Sequence, residues 1–141
     1  MSKKIHDVMH AGVDAHESTT LVSTIARTMK DNDIGAVPIV DKGKLVGMVT
    51  DRDIAVRALA DGRDATQLTA KDVMTKGVAC CRPSDSTLAA SRLMQERAIR
   101  RLAVVDEGDK LVGMVSLGDL AHAMSEEHSG QLAKAVSAHH A

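Results

Sequence analysis

The sequence of 141 residues repeats itself, and this repeat constrains the fold more than any other feature. The hexapeptide Lys-Leu-Val-Gly-Met-Val at residues 44–49 recurs letter for letter at residues 110–115. The dipeptide Val-Met at residues 8–9 returns at residues 73–74. A period of this length is too long for a solenoid unit. The sequence therefore predicts two copies of one small supersecondary unit.

The first copy shows a clear order of predicted elements. A short extended piece at residues 12–14 comes first, and apolar residues at helical spacing then predict a helix over residues 20–32. Two short apolar runs, residues 36–41 and 45–49, flank a Lys-Gly turn and predict a β-hairpin. A second helix is predicted over about residues 51–60.

The second copy follows the same order. We predict an extended piece at residues 77–81 and a helix over residues 86–98, followed by strands at residues 102–106 and 111–115. The last predicted helix of this copy covers residues 117–124. Each copy therefore reads β-α-β-β-α.

The predicted fold class is α/β, in the broad sense that includes α+β. One copy is too small to bury both faces of its sheet, so we expect two copies packed sheet to sheet about a pseudo-twofold axis. The predicted boundaries are residues 1–62 for repeat 1 with its N-terminal segment, 63–72 for a linker and 73–125 for repeat 2. Residues 126–141 are predicted as a polar tail, with a weak helix over residues 131–138.

Composition argues against several classes of protein. Lys and Arg number 18 against 19 Asp and Glu, so a net charge of -1 offers no field for nucleic acid or an anionic membrane. The chain has no Phe, Tyr or Trp, and therefore no stacking platform for single-stranded nucleic acid. Its apolar runs are strand-sized, and its first residues do not resemble a signal peptide. We expect a cytoplasmic protein that binds neither nucleic acid nor membrane.

A hydroxyl residue ends the second hairpin strand of each copy, and an acid follows three residues later. The pairs are Thr50 with Asp53 and Ser116 with Asp119. This spacing fits a helix capping box, although Asp is shorter than the usual Glu or Gln. The same geometry also suits a nucleotide, because a helix start and a hydroxyl bind phosphate while a carboxylate accepts from a ribose diol. The spacing leaves both interpretations open.

Other polar residues are weaker candidates. Three arginines near these junctions offer charge to a phosphate: Arg52, Arg100 and Arg101. His6 and His10 are either two metal ligands on one helical turn or a solvated pair, and without a third ligand nearby the solvated pair is favoured. The adjacent Cys80 and Cys81 are either a vicinal redox switch or inert thiols in a strand, and inert thiols are favoured.

With their hairpins, the two hydroxyl-x-x-Asp segments resemble a tandem of cystathionine-β-synthase (CBS) domains, called a Bateman module, over about residues 5–125. The resemblance implies two clefts between the repeats for adenosyl compounds such as AMP, ADP, ATP, NAD or S-adenosylmethionine, with or without Mg²⁺. It implies no required cofactor and no resident metal. By this resemblance Asp53 and Asp119 hold ribose, and Thr50 and Ser116 lie near phosphate. The strand starts implied to line the adenine and phosphate are Gly35, Ala36, Val37, Pro38, Arg100, Arg101, Leu102 and Ala103.

Two functions remain open from the sequence. In the first, the chain is a regulatory module that senses an adenosyl ligand and signals to an effector protein through a conformational or dimer-interface change, as a homodimer. The alternative is a non-catalytic dimerisation or assembly module with vestigial nucleotide sites. An enzyme is not expected, because the sequence has no nucleophile elbow, zinc signature or Gly-rich phosphate loop. Since Arg100 and Arg101 replace Gly35 and Ala36, we expect two unequal sites.

Overall fold

The computed structural model describes residues 3–123, which form two compact units. One, here the continuous unit, comprises residues 14–78; the other, the split unit, comprises residues 3–13 and 79–123. Each unit contains helices and one three-stranded sheet. The predicted α/β class with two repeats is therefore confirmed. The predicted tail and its weak helix lie outside the described residues.

The same order of elements occurs twice along the chain. In chain order the elements are α1 (Ile5–Val8), β1 (His16–Glu17), α2 (Val22–Asn32), β2 (Ala36–Asp41), β3 (Lys44–Thr50), α3 (Asp51–Ile54), α4 (Ala70–Val73), β4 (Cys80–Cys81), α5 (Thr87–Arg97), β5 (Arg101–Val105), β6 (Leu111–Ser116) and α6 (Leu117–Ala123). A π-helical segment, Ala55–Leu59, continues α3. Within the part of the chain that the structure covers, no helix has the length and apolar character to cross a bilayer.

The two sheets have one topology. In the continuous unit β1 pairs in parallel with β2, and β2 pairs antiparallel with β3; β4, β5 and β6 repeat this arrangement in the split unit. The turn between β2 and β3 has positive φ at both Lys42 (53°) and Gly43 (81°). Such a turn twists in the same sense as the strands that it joins, which explains the tight hairpin predicted from the sequence.

Three predicted elements differ from the structure. The extended piece expected at residues 12–14 is wrong, because the strand lies at His16–Glu17, where these residues pair with Ile39 and Val40. A two-residue strand is too short to show an alternating sequence pattern, so it is recognised only by its pairing with a neighbouring strand. For the same reason β4 is shorter than the extended piece expected at residues 77–81. The helix expected over residues 51–60 divides into α3 and the π-helical segment.

The core of each unit is aliphatic. In the continuous unit, α2 presents Val22, Ile25 and Met29, which follow helical spacing and are buried against the sheet. The sheet residues of this core are Val37, Ile39 and Val49. The core of the split unit consists of Ile5, Cys81, Ala90, Met94, Leu102, Val104, Val115 and Leu120. Branched and flexible side chains thus fill the space that aromatic rings occupy in most domains.

The helix that opens each sequence repeat packs in the unit of the other repeat. Helix α1 precedes the first repeat, yet Ile5 is fully buried in the core of the split unit. Helix α4 comes where the second repeat begins, yet Ala70 and Val73 are fully buried in the core of the continuous unit. The stretch predicted as a linker, residues 63–72, thereby contributes Leu68 and Ala70 to a core. The compact units and the sequence repeats are therefore offset from each other.

Candidate functional site

Both hydroxyl-x-x-Asp segments form a complete capping box. Thr50 Oγ1 accepts a hydrogen bond from the Asp53 amide at 3.0 Å, and Asp53 Oδ2 accepts one from the Thr50 amide at 2.9 Å. In α6 the corresponding distances are 3.1 Å to Ser116 Oγ and 2.8 Å to Asp119 Oδ2. Aspartate therefore reaches back to the cap residue despite its shorter side chain. The capping interpretation is confirmed, and it uses one carboxylate oxygen of each Asp.

The other carboxylate oxygen of each Asp binds a side chain from a distant segment. Thr75 Oγ1 donates to Asp53 Oδ1 at 3.2 Å, and Arg57 Nε lies 3.9 Å from the same oxygen. His10 Nε2 lies 2.9 Å from Asp119 Oδ1. The sequence alone had not pointed to Thr75 or to these roles of Arg57 and His10. A signal was present for two of them, because His10 and Thr75 each follow the repeated Val-Met dipeptide.

Two main-chain contacts hold each of these segments beside its hairpin. The amides and carbonyls of Thr75 and Met48 exchange hydrogen bonds of 2.9 and 3.0 Å, and those of His10 and Met114 exchange two of 2.9 Å. The approach is close because a glycine lies beside each contact. A Cβ at Gly113 would lie 2.8 Å from the His10 carbonyl oxygen, and one at Gly47 would lie 3.0 Å from that of Thr75. The glycine of the repeated hexapeptide is thus explained by packing of the crossing segment.

The two acids differ in exposure. The Asp53 side chain is 11% exposed, whereas the Asp119 side chain is 18% exposed. Burial acts to raise the pKa of Asp119, but hydrogen bonds from the Ser116 amide, His10 and the Ser116 hydroxyl outweigh it, so that this pKa lies below its ordinary value. Asp119 is therefore a carboxylate at neutral pH.

A cavity adjoins Asp119 within the split unit. Its volume is about 200 Å³, and it is lined by Lys3, Val8, Asp119, His122 and Ala123. Lys3 and His122 bring basic groups to the same space as the carboxylate. The cavity thus combines one acceptor of hydrogen bonds with two basic side chains.

The start of the first hairpin strand lies beside the helix cap in both units. Asp51 donates its amide to the Gly35 carbonyl at 3.0 Å, and Ala36 lies opposite Thr50 in the sheet register. Correspondingly, Leu117 donates to the Arg100 carbonyl at 2.8 Å, and Arg101 lies opposite Ser116. Directly opposite side chains share one face of a sheet. Predicted site residues from both ends of each hairpin are therefore brought together.

The remaining predicted residues fall into two groups. Arg52, Arg100 and Arg101 are exposed. The other four are buried: Val37, Pro38, Leu102 and Ala103. Val37 and Leu102 belong to the hydrophobic cores, so their side chains serve packing. Any lining of a ligand site by these strands stays a prediction.

The weaker candidates have ordinary environments. His6 lies 3.9 Å from Asp7, and His10 contacts Asp119, so the two imidazoles have different partners. Among residues 3–123, no three His, Cys, Asp or Glu side chains are grouped as a metal site requires. Cys80 and Cys81 are free thiols, one exposed and one buried. Burial, with smaller effects of Asp85 and Cys80, raises the pKa of the Cys81 thiol to about 12, so this thiol is not a nucleophile at neutral pH.

Comparison with known proteins agrees with the repeated fold. The CBS domain family model matches residues 5–59 and 70–126. The CBS domain-containing protein YhcV of Bacillus subtilis is 40% identical over 134 residues, which cover 94% of each chain.

Two solved structures with bound ligands are similar to this chain. The CBS domain pair of protein MJ0100, in complex with 5′-methylthioadenosine and S-adenosyl-L-methionine, aligns with a TM-score of 0.76 and 27% identity, over 86% of this chain and 95% of that one. CBSX2 in complex with AMP aligns with a TM-score of 0.73 and 26% identity, over 85% and 94%. The match of the family model to two copies, at the positions where the fold repeats, shows that the chain belongs to the CBS domain family as a tandem pair.

Proposed function

We propose that this chain is a regulatory module that binds an adenosyl compound at the Asp53 and Asp119 sites. The observation that carries the proposal is the repeated arrangement of a capped helix start, a hydroxyl and a carboxylate. This arrangement occurs at Thr50 with Asp53 and again at Ser116 with Asp119. Support also comes from MJ0100 and CBSX2, two CBS proteins with adenosyl ligands.

The hydrogen-bond inventory of Asp119 leaves room for a ribose diol. An ionised carboxylate has about four acceptor positions. The Ser116 amide uses one position on Oδ2 and His10 uses one on Oδ1. About two positions are left over, the number that two vicinal hydroxyl donors need. Asp53 accepts likewise from the Thr50 amide and Thr75, and it has an additional ion-pair partner in Arg57.

The hydroxyl proton of each cap residue can rotate toward a bound ligand, although in the free protein the Ser116 hydroxyl also bonds to the Asp119 carboxylate. Ser116 Oγ accepts from the Asp119 amide, and a hydroxyl has one donor hydrogen besides its lone pairs. Arg101 lies opposite Ser116 in the sheet and is exposed, so a cation is available beside that donor. In the first repeat Ala36 takes the place of Arg101. We therefore expect the second repeat to favour ligands with phosphate more than the first.

The proposed regulatory role rests on a site that can bind a ligand. The described residues offer acceptors, donors and charge for binding, and the proposal assigns them no catalytic step. An adenosyl ligand, alone or with Mg²⁺, then acts as an effector and not as a resident cofactor. The ligand signals only if it binds two conformational states of the protein with different affinities. We propose that these are states of a cytoplasmic homodimer, read by a separate effector protein.

The first test separates the ribose role from the phosphate role by comparing adenosine with AMP. Asp119→Ala is expected to weaken binding of both ligands at the second repeat by about 10- to 150-fold, the effect of losing ~1.5–3 kcal/mol from a charged acceptor. Ser116→Ala is expected to weaken AMP binding and to leave adenosine binding within about twofold. Titrations followed by ¹⁵N NMR resolve the sites, because residues 117–119 and 51–53 report separately.

The controls address the helix cap. Both variants remove a cap contact worth about 1 kcal/mol, so the melting temperature is measured for each. Asp53→Ala is the matched variant for the first repeat. Adenosine binding that survives Asp119→Ala unchanged would contradict the ribose assignment. Failure of either ligand to bind the unmodified protein would favour the assembly module with vestigial sites.

A second test uses the lack of aromatic residues. With no Phe, Tyr or Trp, the ligand-free protein absorbs almost nothing near 260–280 nm. A purified sample that carries an adenosyl compound is expected to show a band near 260 nm that survives gel filtration and nuclease and disappears after unfolding and dialysis. Protein from Asp53→Ala/Asp119→Ala is the control, and a band of equal size in it would contradict binding at these sites.

A further inference from the structure

We propose that His10 makes nucleoside binding at Asp119 pH-dependent, whereas the equivalent site at Asp53 is insensitive to pH over the same range. The inference rests on the proposed function and adds a regulatory property to one of its two sites. It is carried by one difference between the repeats. At the position after the Val-Met dipeptide, repeat one has His10 and repeat two has Thr75, and each contacts the second oxygen of a site carboxylate.

The His10 side chain is held where it can act on Asp119 and is open to solvent protons. Nε2 lies 2.9 Å from Asp119 Oδ1, and the His10 backbone exchanges two hydrogen bonds with Met114. Gly113 allows this close crossing. The imidazole is 73% exposed, so protons reach it freely. Imidazole is the side chain that ordinarily changes charge between pH 5 and 8, whereas a threonine hydroxyl does not titrate.

Few other charged groups surround this contact. Strand β6 contributes no titratable residue, β5 contributes Arg101 opposite Ser116, and α6 contributes Asp119 and His122. On the N-terminal side, Lys3 lines the adjoining cavity, and α1 contains His6 and Asp7, which lie 3.9 Å apart. An ammonium group ordinarily remains charged between pH 5 and 8, whereas an imidazole does not. Among the described residues that contact Asp119 or line its cavity, the groups that can change charge are therefore His10 and His122.

The direction of the effect follows from competition for the carboxylate. A protonated imidazole forms a charge-assisted hydrogen bond, roughly twice as strong as the bond from neutral imidazole. Asp119 is then a poorer acceptor for ribose hydroxyls, because its charge is already neutralised by a cation in direct contact. Since protonation opposes binding, binding of the nucleoside opposes protonation, as thermodynamic linkage requires. Nucleoside affinity at Asp119 therefore falls as pH falls.

The experiment measures adenosine binding at pH 8, 7 and 6 by ¹⁵N NMR on the full chain. Adenosine has no phosphate, so titration of a phosphate group does not contribute to the measured pH dependence. At the second-repeat site, reported by the amides of residues 117–119, affinity is expected to fall about 3- to 10-fold from pH 8 to pH 6. At the first-repeat site, reported by residues 51–53, it is expected to stay within about twofold.

Reciprocal substitutions provide matched controls. His10→Thr is expected to abolish the pH dependence at the second site, and Thr75→His to introduce it at the first; both positions are exposed, so folding is preserved. His122→Gln is expected to retain the pH dependence. A pH profile that persists in His10→Thr, or is lost only in His122→Gln, overturns the inference.

The outcomes separate the two proposals. Adenosine that binds both sites with equal, flat pH profiles overturns the role of His10 and leaves the proposed function in place. Adenosine and AMP that bind neither site at any pH overturn the proposed function, and the inference with it.

Discussion

Asp53 and Asp119 each use one oxygen to cap a helix and the other to hold a crossing segment. The capping half of this role was predictable, because it depends on residues three apart in the sequence. The second contact leaves no trace in local spacing, since its partners lie 22 and 109 positions away. Local spacing therefore predicts which residue is important, and tertiary structure determines how many partners it has.

Another carboxylate, Asp41, shows how a short hydrogen-bonded contact makes stability depend on pH. Ser18 Oγ lies 2.8 Å from Asp41 Oδ2, and the Ser18 amide donates to Oδ1 at 3.1 Å. The Ser18 hydroxyl and then its amide lower the pKa of Asp41 below the ordinary value of 3.8. A lowered carboxyl pKa in the folded state stabilises the fold above the unfolded value, and this stabilisation is lost as pH falls through the folded value.

Ser18→Ala is expected to lower the melting temperature at pH 6–7, because the ionised Asp41 loses its hydroxyl donor. The difference from the unmodified protein is expected to shrink as pH falls below about 3.8 and through the lowered pKa of Asp41, where this carboxyl becomes protonated in both proteins. Melting curves across this range check the prediction. In an Asp41→Asn background the same substitution should show no such pH dependence; a difference that grows toward low pH would contradict the assignment.

Strands β3 and β6 show why the repeated hexapeptide keeps its glycine. Gly47 and Gly113 each lie where a segment from elsewhere in the chain crosses the hairpin edge. The sequence predicted the hairpins, because short apolar runs and the turn residues between them are local signals. It did not predict the crossing, and it misplaced β1, because a two-residue strand is defined only by its partner. The π-helical segment after α3 likewise corresponds to no pattern in the sequence.

Gly113→Ala is expected to destabilise the protein by about 1–3 kcal/mol, the usual cost of adding a methyl group to a tightly packed position. The added Cβ would lie 2.8 Å from a backbone oxygen of His10, which only a shift of the crossing segment can relieve. Urea unfolding measures the change. Gly108→Ala is the matched control, because its nearest neighbour would lie at 3.5 Å. Equal stability of the two variants would contradict this explanation of the glycine.

Across the molecule, the compact units do not coincide with the sequence repeats. Internal similarity predicted two copies and their order of elements, and both are present. It assigned the N-terminal segment to the first repeat, whereas the structure packs residues 3–13 with residues 79–123. A repeat comparison aligns similar segments but carries no information on which core each segment enters. The choice is made by burial, as for Ile5 in one unit and Val73 in the other.

A fragment of residues 14–78 is therefore expected to unfold cooperatively in urea, whereas a fragment of residues 1–62 is not. The shorter one lacks four buried residues of the core: Leu68, Ala70, Val73 and Met74. Domains of this size are marginally stable, so the loss is expected to abolish folding. Circular dichroism during urea titration checks both fragments. A cooperative transition in residues 1–62, with none in residues 14–78, would contradict the assignment of α4 to the continuous unit.

The exchange of opening helices also bears on how such a protein arises by gene duplication. A lone ancestral copy would carry an opening helix whose buried residues belong in a neighbour's core, and its own core would lack the equivalent residues. Two such polypeptides could complete each other's cores by exchanging these helices. Fusion of their genes would keep the exchange within one chain. Copies of this kind are expected to fold stably in even numbers. A third copy added by a later duplication would have no partner to complete its core.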